Sequence, residues 1–67
     1  MEKLKAAHDA FQAADDEWQA ALIAKYGKDA GQMRYLAQGQ GLECDTIRKT
    51  YEERYKAMRA YMAMQQA

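Results

Sequence analysis

The chain has 67 residues, with ten basic and ten acidic side chains, one cysteine and one histidine. A chain of this length makes one small domain; it buries only about 60 % of its unfolded surface, so it relies on unusually good packing or self-association. One cysteine excludes an intramolecular disulfide, and one cysteine with one histidine excludes a Cys/His zinc cluster.

The balanced charge lacks the basic footprint of a nucleic-acid binder. No run of about 20 apolar residues is present, so no membrane span is expected. His8, Asp9 and Gln12 interrupt any apolar segment behind Lys3 and Lys5, so the start of the chain is not read as a signal peptide. A lone thiol fits a reducing compartment, and the expected location is the cytoplasm.

Residues 2–26 contain neither Gly nor Pro and are rich in Ala, Leu, Glu, Lys and Gln, all strong helix formers. At 100° per residue, Leu4, Ala7, Phe11, Ala14, Trp18, Ala21, Leu22 and Tyr26 fall on one stripe, with large and small side chains alternating as in a helix-packing seam. Ala6, Ala10, Ala13, Ala20 and Ala24 make a second, small-residue strip, with Ile23 near it. Asp15 stands at the edge of the apolar stripe, one turn from Phe11 and Trp18. A carboxylate placed there needs a partner, because burying an unpaired charge is costly.

All four glycines lie in the next stretch, residues 27–41. Gly27 is placed to end the first helix in a left-handed conformation. The stretch is longer than two antiparallel helices need for a turn, and it carries Met33, Arg34, Tyr35 and Leu36. Long connectors in compact domains often carry function, which makes Met33, Arg34 and Tyr35 the candidate partner-binding residues.

From about Leu42 to Gln65 the chain again lacks Gly and Pro. Cys44, Ile47, Tyr51, Tyr55, Met58, Tyr61 and Met62 form a broad apolar face with Arg54 in its middle. Asp45 or Glu43 can cap the helix start, and Glu52 and Lys56 have the spacing of an i,i+4 ion pair. If the two helices fold back on each other at the connector, residue numbers across the seam sum to about 70 at 1.5 Å per residue. That places Asp15 beside Arg54 or Tyr55, and His8 near Met62; Asp15 and Arg54 are the candidate structural ion pair. One helix cannot cover so broad a Tyr/Met face, and Tyr, Met and Arg are enriched at interfaces. Tyr51, Tyr55, Met58, Tyr61 and Met62 are therefore the candidate dimer interface, in a four-helix bundle built from two hairpins.

No catalytic constellation is found. The chain contains no serine, and His8 is placed at the far end of the hairpin from Cys44, which leaves the thiol without a base. Asp15-Asp16-Glu17 and Glu52-Glu53 are neighbours along helices and point in different directions, so they do not converge. Gly39-Gln40-Gly41 is too short for a phosphate loop and lacks the Lys that would follow one. The basic residues of the second helix are interspersed with acids, where phosphate tracking needs a surplus of positive charge. No enzyme activity, cofactor or metal is expected.

The string Tyr26-Gly27-Lys28-Asp29-Ala30-Gly31-Gln32-Met33-Arg34-Tyr35, followed by Gly39 and Gly41, resembles a pattern in small uncharacterised helical proteins of bacteriophage and prophage genomes. These carry aromatic-Gly-Lys-x-Ala-Gly-x-x-Arg-Tyr between two helices, with an aromatic segment upstream such as Phe11 and Trp18 here. The resemblance implies no known activity. It implies a protein that acts in the cytoplasm of a bacterial host cell by binding a host protein, to modulate or inhibit it.

The sequence therefore leads to one all-α domain over residues 1–67: helix 2–26, connector 27–41, helix 42–65. The expected fold is a two-helix antiparallel hairpin that dimerises into a four-helix bundle. Its expected role is a non-catalytic protein-interaction module. The alternatives are a structural assembly subunit without a host target and, behind it, a nucleic-acid-binding hairpin.

Overall fold

The computed structural model describes residues 2–66. These residues are predominantly helical, and none of them is in a strand. The first long helix, α1, spans Glu2–Tyr26. The connector is itself mostly helical: a 3-10 turn at Gly27–Asp29, a one-turn helix α2 at Ala30–Met33 and a second 3-10 turn at Ala37–Gln40. The second long helix, α3, spans Asp45–Gln66. The molecule measures 37 × 17 × 17 Å. Its long dimension equals the length of α1 at 1.5 Å per residue, so the connector adds almost nothing to it.

α1 and α3 pack side by side. His8 and Phe11 meet Tyr61, with ring centroids 5.2 and 6.2 Å apart, and Trp18 meets Tyr51 at 5.6 Å. Between them Arg54 reaches Asp15. Early residues of α1 thus meet late residues of α3, and the reverse holds at the connector end. The buried hydrophobic residues gather at that end: Trp18 and Leu22 from α1, Ala30 from α2 and Ile47 from α3. Ala21, Tyr26, Met33, Cys44 and Tyr51 pack around them. Toward the other end the stripe loosens until Leu4 is exposed. The second strip of α1, Ala6, Ala10, Ala13, Ala20 and Ala24 with Ile23, faces solvent.

Three expectations about α3 change. The helix starts at Asp45 rather than Leu42, because Gly41 turns the chain with φ +94° and only then does it straighten into the helix. Cys44, not Asp45 or Glu43, occupies the capping position, and its carbonyl accepts the Arg48 N–H at 3.0 Å. Asp45 lies one residue inside and takes the Arg48 guanidinium at 2.7 Å. The expected Glu52–Lys56 pair is also replaced: Lys56 reaches Glu53 instead, at 3.6 Å.

The glycines of the connector differ in what they do. Gly39 is buried where the chain passes over the end of α2, and a β-carbon there would overlap the Met33 carbonyl oxygen. Gly41 combines its positive φ with a close approach to Arg48. Gly31, by contrast, sits in helical conformation with open space where a side chain would go. Gly31→Ala should therefore raise stability by about 0.5–1 kcal/mol, since it lowers the backbone entropy of the unfolded chain without a clash. Gly39→Ala should lower it by about 1–3 kcal/mol through overpacking against backbone. Urea unfolding of the two single variants measures both.

Candidate functional site

The polar residues of the seam converge on Trp18. Its indole is 3 % exposed. The indole N–H donates to the carbonyl of Gly39 at 2.8 Å, so the connector is tied to the middle of α1. Burying an indole without a partner for its N–H would forfeit part of the benefit of its large apolar surface. Gly39 provides that partner because, without a side chain, its backbone can come close.

Two guanidiniums flank the indole. The Arg34 guanidinium carbon lies 4.6 Å from the ring centroid and that of Arg54 lies 4.8 Å from it. Both are within the range at which a cation is attracted to an aromatic face. Arg54 comes from the middle of α3 and also approaches Phe11, at 5.3 Å. Arg34 comes from the end of α2. Two cations this near each other repel, and Asp15 resolves the conflict. A single carboxylate oxygen of Asp15 accepts from Arg54 Nε at 2.6 Å and from Arg34 Nη2 at 3.0 Å. A second nitrogen of Arg34 donates to the Gln19 side-chain carbonyl. These side chains are partly buried, where charge-assisted hydrogen bonds are stronger than at an open surface.

Burial works to raise the Asp15 pKa, but the hydrogen bonds from Arg54 and Arg34, together with the attraction of their charges, outweigh it and hold the carboxyl below the ordinary value of 3.8. The cluster is a structural centre that joins α1, the connector and α3. The pairing of Asp15 with Arg54 is one of its two arms; the arm from Arg34 was not visible in the sequence.

Of the candidate partner-binding residues, Met33 packs against the core and Arg34 is turned inward onto Asp15, Gln19 and Trp18. Tyr35 is 86 % exposed. Leu42 and Leu36, at 69 and 47 %, are the other large apolar side chains of the connector that face solvent. The candidate dimer residues divide as well. Tyr51 and Tyr61 face α1, and Met58 is half-buried, while Tyr55 and Met62 are exposed. Tyr55, Met58 and Met62, with Arg59, Ala63 and Gln66, line an open groove of about 350 Å³.

Cys44 is a free, half-buried thiol at the start of α3. Near it the hydroxyl of Tyr26 is buried and finds no hydrogen-bond partner among the described residues. Desolvation, followed by the nearby Glu43 and Cys44, pushes the Tyr26 pKa above its ordinary value. No group of three or more His, Cys, Asp or Glu among the described residues is arranged to hold a metal ion. No helix among them is long and apolar enough to cross a membrane.

Asp15→Asn should lower stability by about 1–3 kcal/mol, because it removes the negative charge behind both hydrogen bonds and leaves two guanidiniums facing each other. Because the Asp15 carboxyl is more acidic folded than unfolded, its contribution is complete above the unfolded value near pH 4 and is lost as pH falls through the folded value. Urea midpoints between about pH 6 and pH 2 should fall more steeply for the wild type than for Asp15→Asn. Tyr26→Phe, which removes the unpartnered hydroxyl, should leave the midpoint unchanged or raise it. A scan against protein-family models finds no match to this chain, and searches of curated proteins and of solved structures find none.

Proposed function

We propose that this chain is a non-catalytic protein-interaction module, a helical hairpin that self-associates through α3 and presents its connector to a second protein. The observation that carries this reading is the contrast within the connector. Arg34 is fastened to Asp15, and the Gly39 backbone to Trp18, while Tyr35 and Leu42 stand in solvent. A connector that served only as a turn would need neither a fastened backbone nor large apolar side chains at the surface. Aromatic side chains held on a preorganised backbone bind at a low cost in conformational entropy.

The resemblance to small phage and prophage proteins supplies the kind of partner: a bacterial host protein, whose action the bound module modulates or inhibits. Self-association is supported by the small size of the buried core and by the exposed Tyr55 and Met62 on the opposite long helix. Two copies packed through that helix form a four-helix bundle, which leaves the connectors free at its ends.

The test is capture of binding proteins from bacterial lysate by immobilised wild type and by a Tyr35→Ala/Leu42→Ala double variant. Both substituted side chains are exposed, so the double variant should keep its helical circular dichroism and lose the bound protein. A captured set identical for both proteins would move the contact away from the connector.

A further inference from the structure

We propose that the outer seam of α3, centred on Tyr55, is the contact between two copies of this chain packed antiparallel about a two-fold axis. This rests on the self-association proposed above and adds its surface, direction and register.

α3 carries one largely apolar stripe that packs on α1 and, beside it, a mostly polar one that holds two large exposed apolar side chains, Tyr55 and Met62. Ile47, Tyr51, Arg54, Met58 and Tyr61 alternate in steps of four and three, and members of this stripe meet α1. Arg48, Glu52, Tyr55, Arg59, Met62 and Gln66 alternate in the same way and are all exposed. At 100° per residue the second stripe lies about a quarter turn round the helix from the first. Grooves of about 350 and 390 Å³ run along the second stripe on either side of Tyr55, which lines both.

The charges choose the occupant. Glu52 lies one turn before Tyr55 and Arg59 one turn after it, and neither has an ion pair among the described residues. The Lys56 amine is taken by Glu53, and among the described residues the Arg59 guanidinium reaches only the Tyr55 hydroxyl, at 3.5 Å, and its ring. The middle of the stripe, Glu52, Tyr55 and Arg59, therefore reads acid, aromatic, base along the chain, while Arg48 before it is paired with Asp45. That pattern is its own complement when reversed. An axis beside Tyr55 sets Glu52 against the partner's Arg59, twice by symmetry, and brings the two Tyr55 rings together. Met62 then meets the alkyl stem of the partner's Arg48. A parallel pair in register would oppose Glu52 to Glu52 and Arg59 to Arg59, an arrangement that like-charge repulsion disfavours.

The experiment is sedimentation equilibrium of the full chain from about 1 µM to about 1 mM, a range that brackets ordinary dimer affinities. Circular dichroism checks that each variant is folded. Glu52→Arg and Arg59→Glu should each weaken the dimer by about tenfold or more, since each creates two like-charge contacts. The double variant Glu52→Arg/Arg59→Glu should restore association to within about threefold of wild type, because it exchanges the charges and keeps their complementarity. Tyr55→Glu should leave a folded monomer. A wild-type dimer that tolerates both single reversals and Tyr55→Glu overturns this surface and leaves self-association standing. A double variant weaker than either single variant overturns the antiparallel register. A wild-type chain that stays monomeric throughout overturns self-association itself, and the seam is then open to another protein or to none.

Discussion

The fold depends on the side chain of Trp18 more than on any other. It is the only tryptophan in the chain, and it lies where α1, α3 and the connector come together. One edge of the indole holds the Gly39 carbonyl, the ring meets Tyr51, and two arginines lie near its π-system. Truncating a buried indole costs about 3–5 kcal/mol. A domain of this size has a total stability of roughly 3–10 kcal/mol at the usual value per residue. A core with so few fully buried residues therefore places an unusually large share of its stability on one side chain.

Asp15 makes that arrangement possible. A flat aromatic ring attracts a guanidinium, but two guanidiniums beside one ring repel each other, and neither can be fully hydrated there. The shared carboxylate oxygen neutralises part of the charge and fixes the approach of both. Its two partners come from different elements, so the placement of the connector on α1 is coupled to that of α3. Loosening either arm leaves the other arginine with a changed electrostatic environment, which is the kind of shared network in which single substitutions do not add.

Much of this organisation follows from spacing alone. A heptad-like stripe in residues 2–26 picks out Trp18, Leu22 and Tyr26 as inward-facing because helical geometry fixes which residues share a face. An acid at the edge of that stripe demands a cation from across the seam, and Arg54 stands in the middle of the other apolar face. The role of Arg34 has no such signature. Its direction is set by the path of the connector, and that path depends on contacts distant in sequence, such as Trp18 to Gly39 over 21 residues. The glycines mark a turn, but close approach to Met33 and Arg48 explains two of them, and close approach has no local periodicity. The start of α3 was displaced for a related reason: Leu42 and Glu43 favour helix well enough, but the left-handed turn at Gly41 holds them out of it.

Because the chain has a single indole, its tryptophan fluorescence comes from the point where the connector docks. Circular dichroism, by contrast, is dominated by α1 and α3. The two signals therefore report on different parts of one small molecule. Coincident curves would mean that the connector is an integral part of one cooperative unit. An early loss of the indole signal would mean that the connector detaches while the long helices persist, exposing Trp18 and freeing Arg34 in a form of the protein with a different surface from the one described.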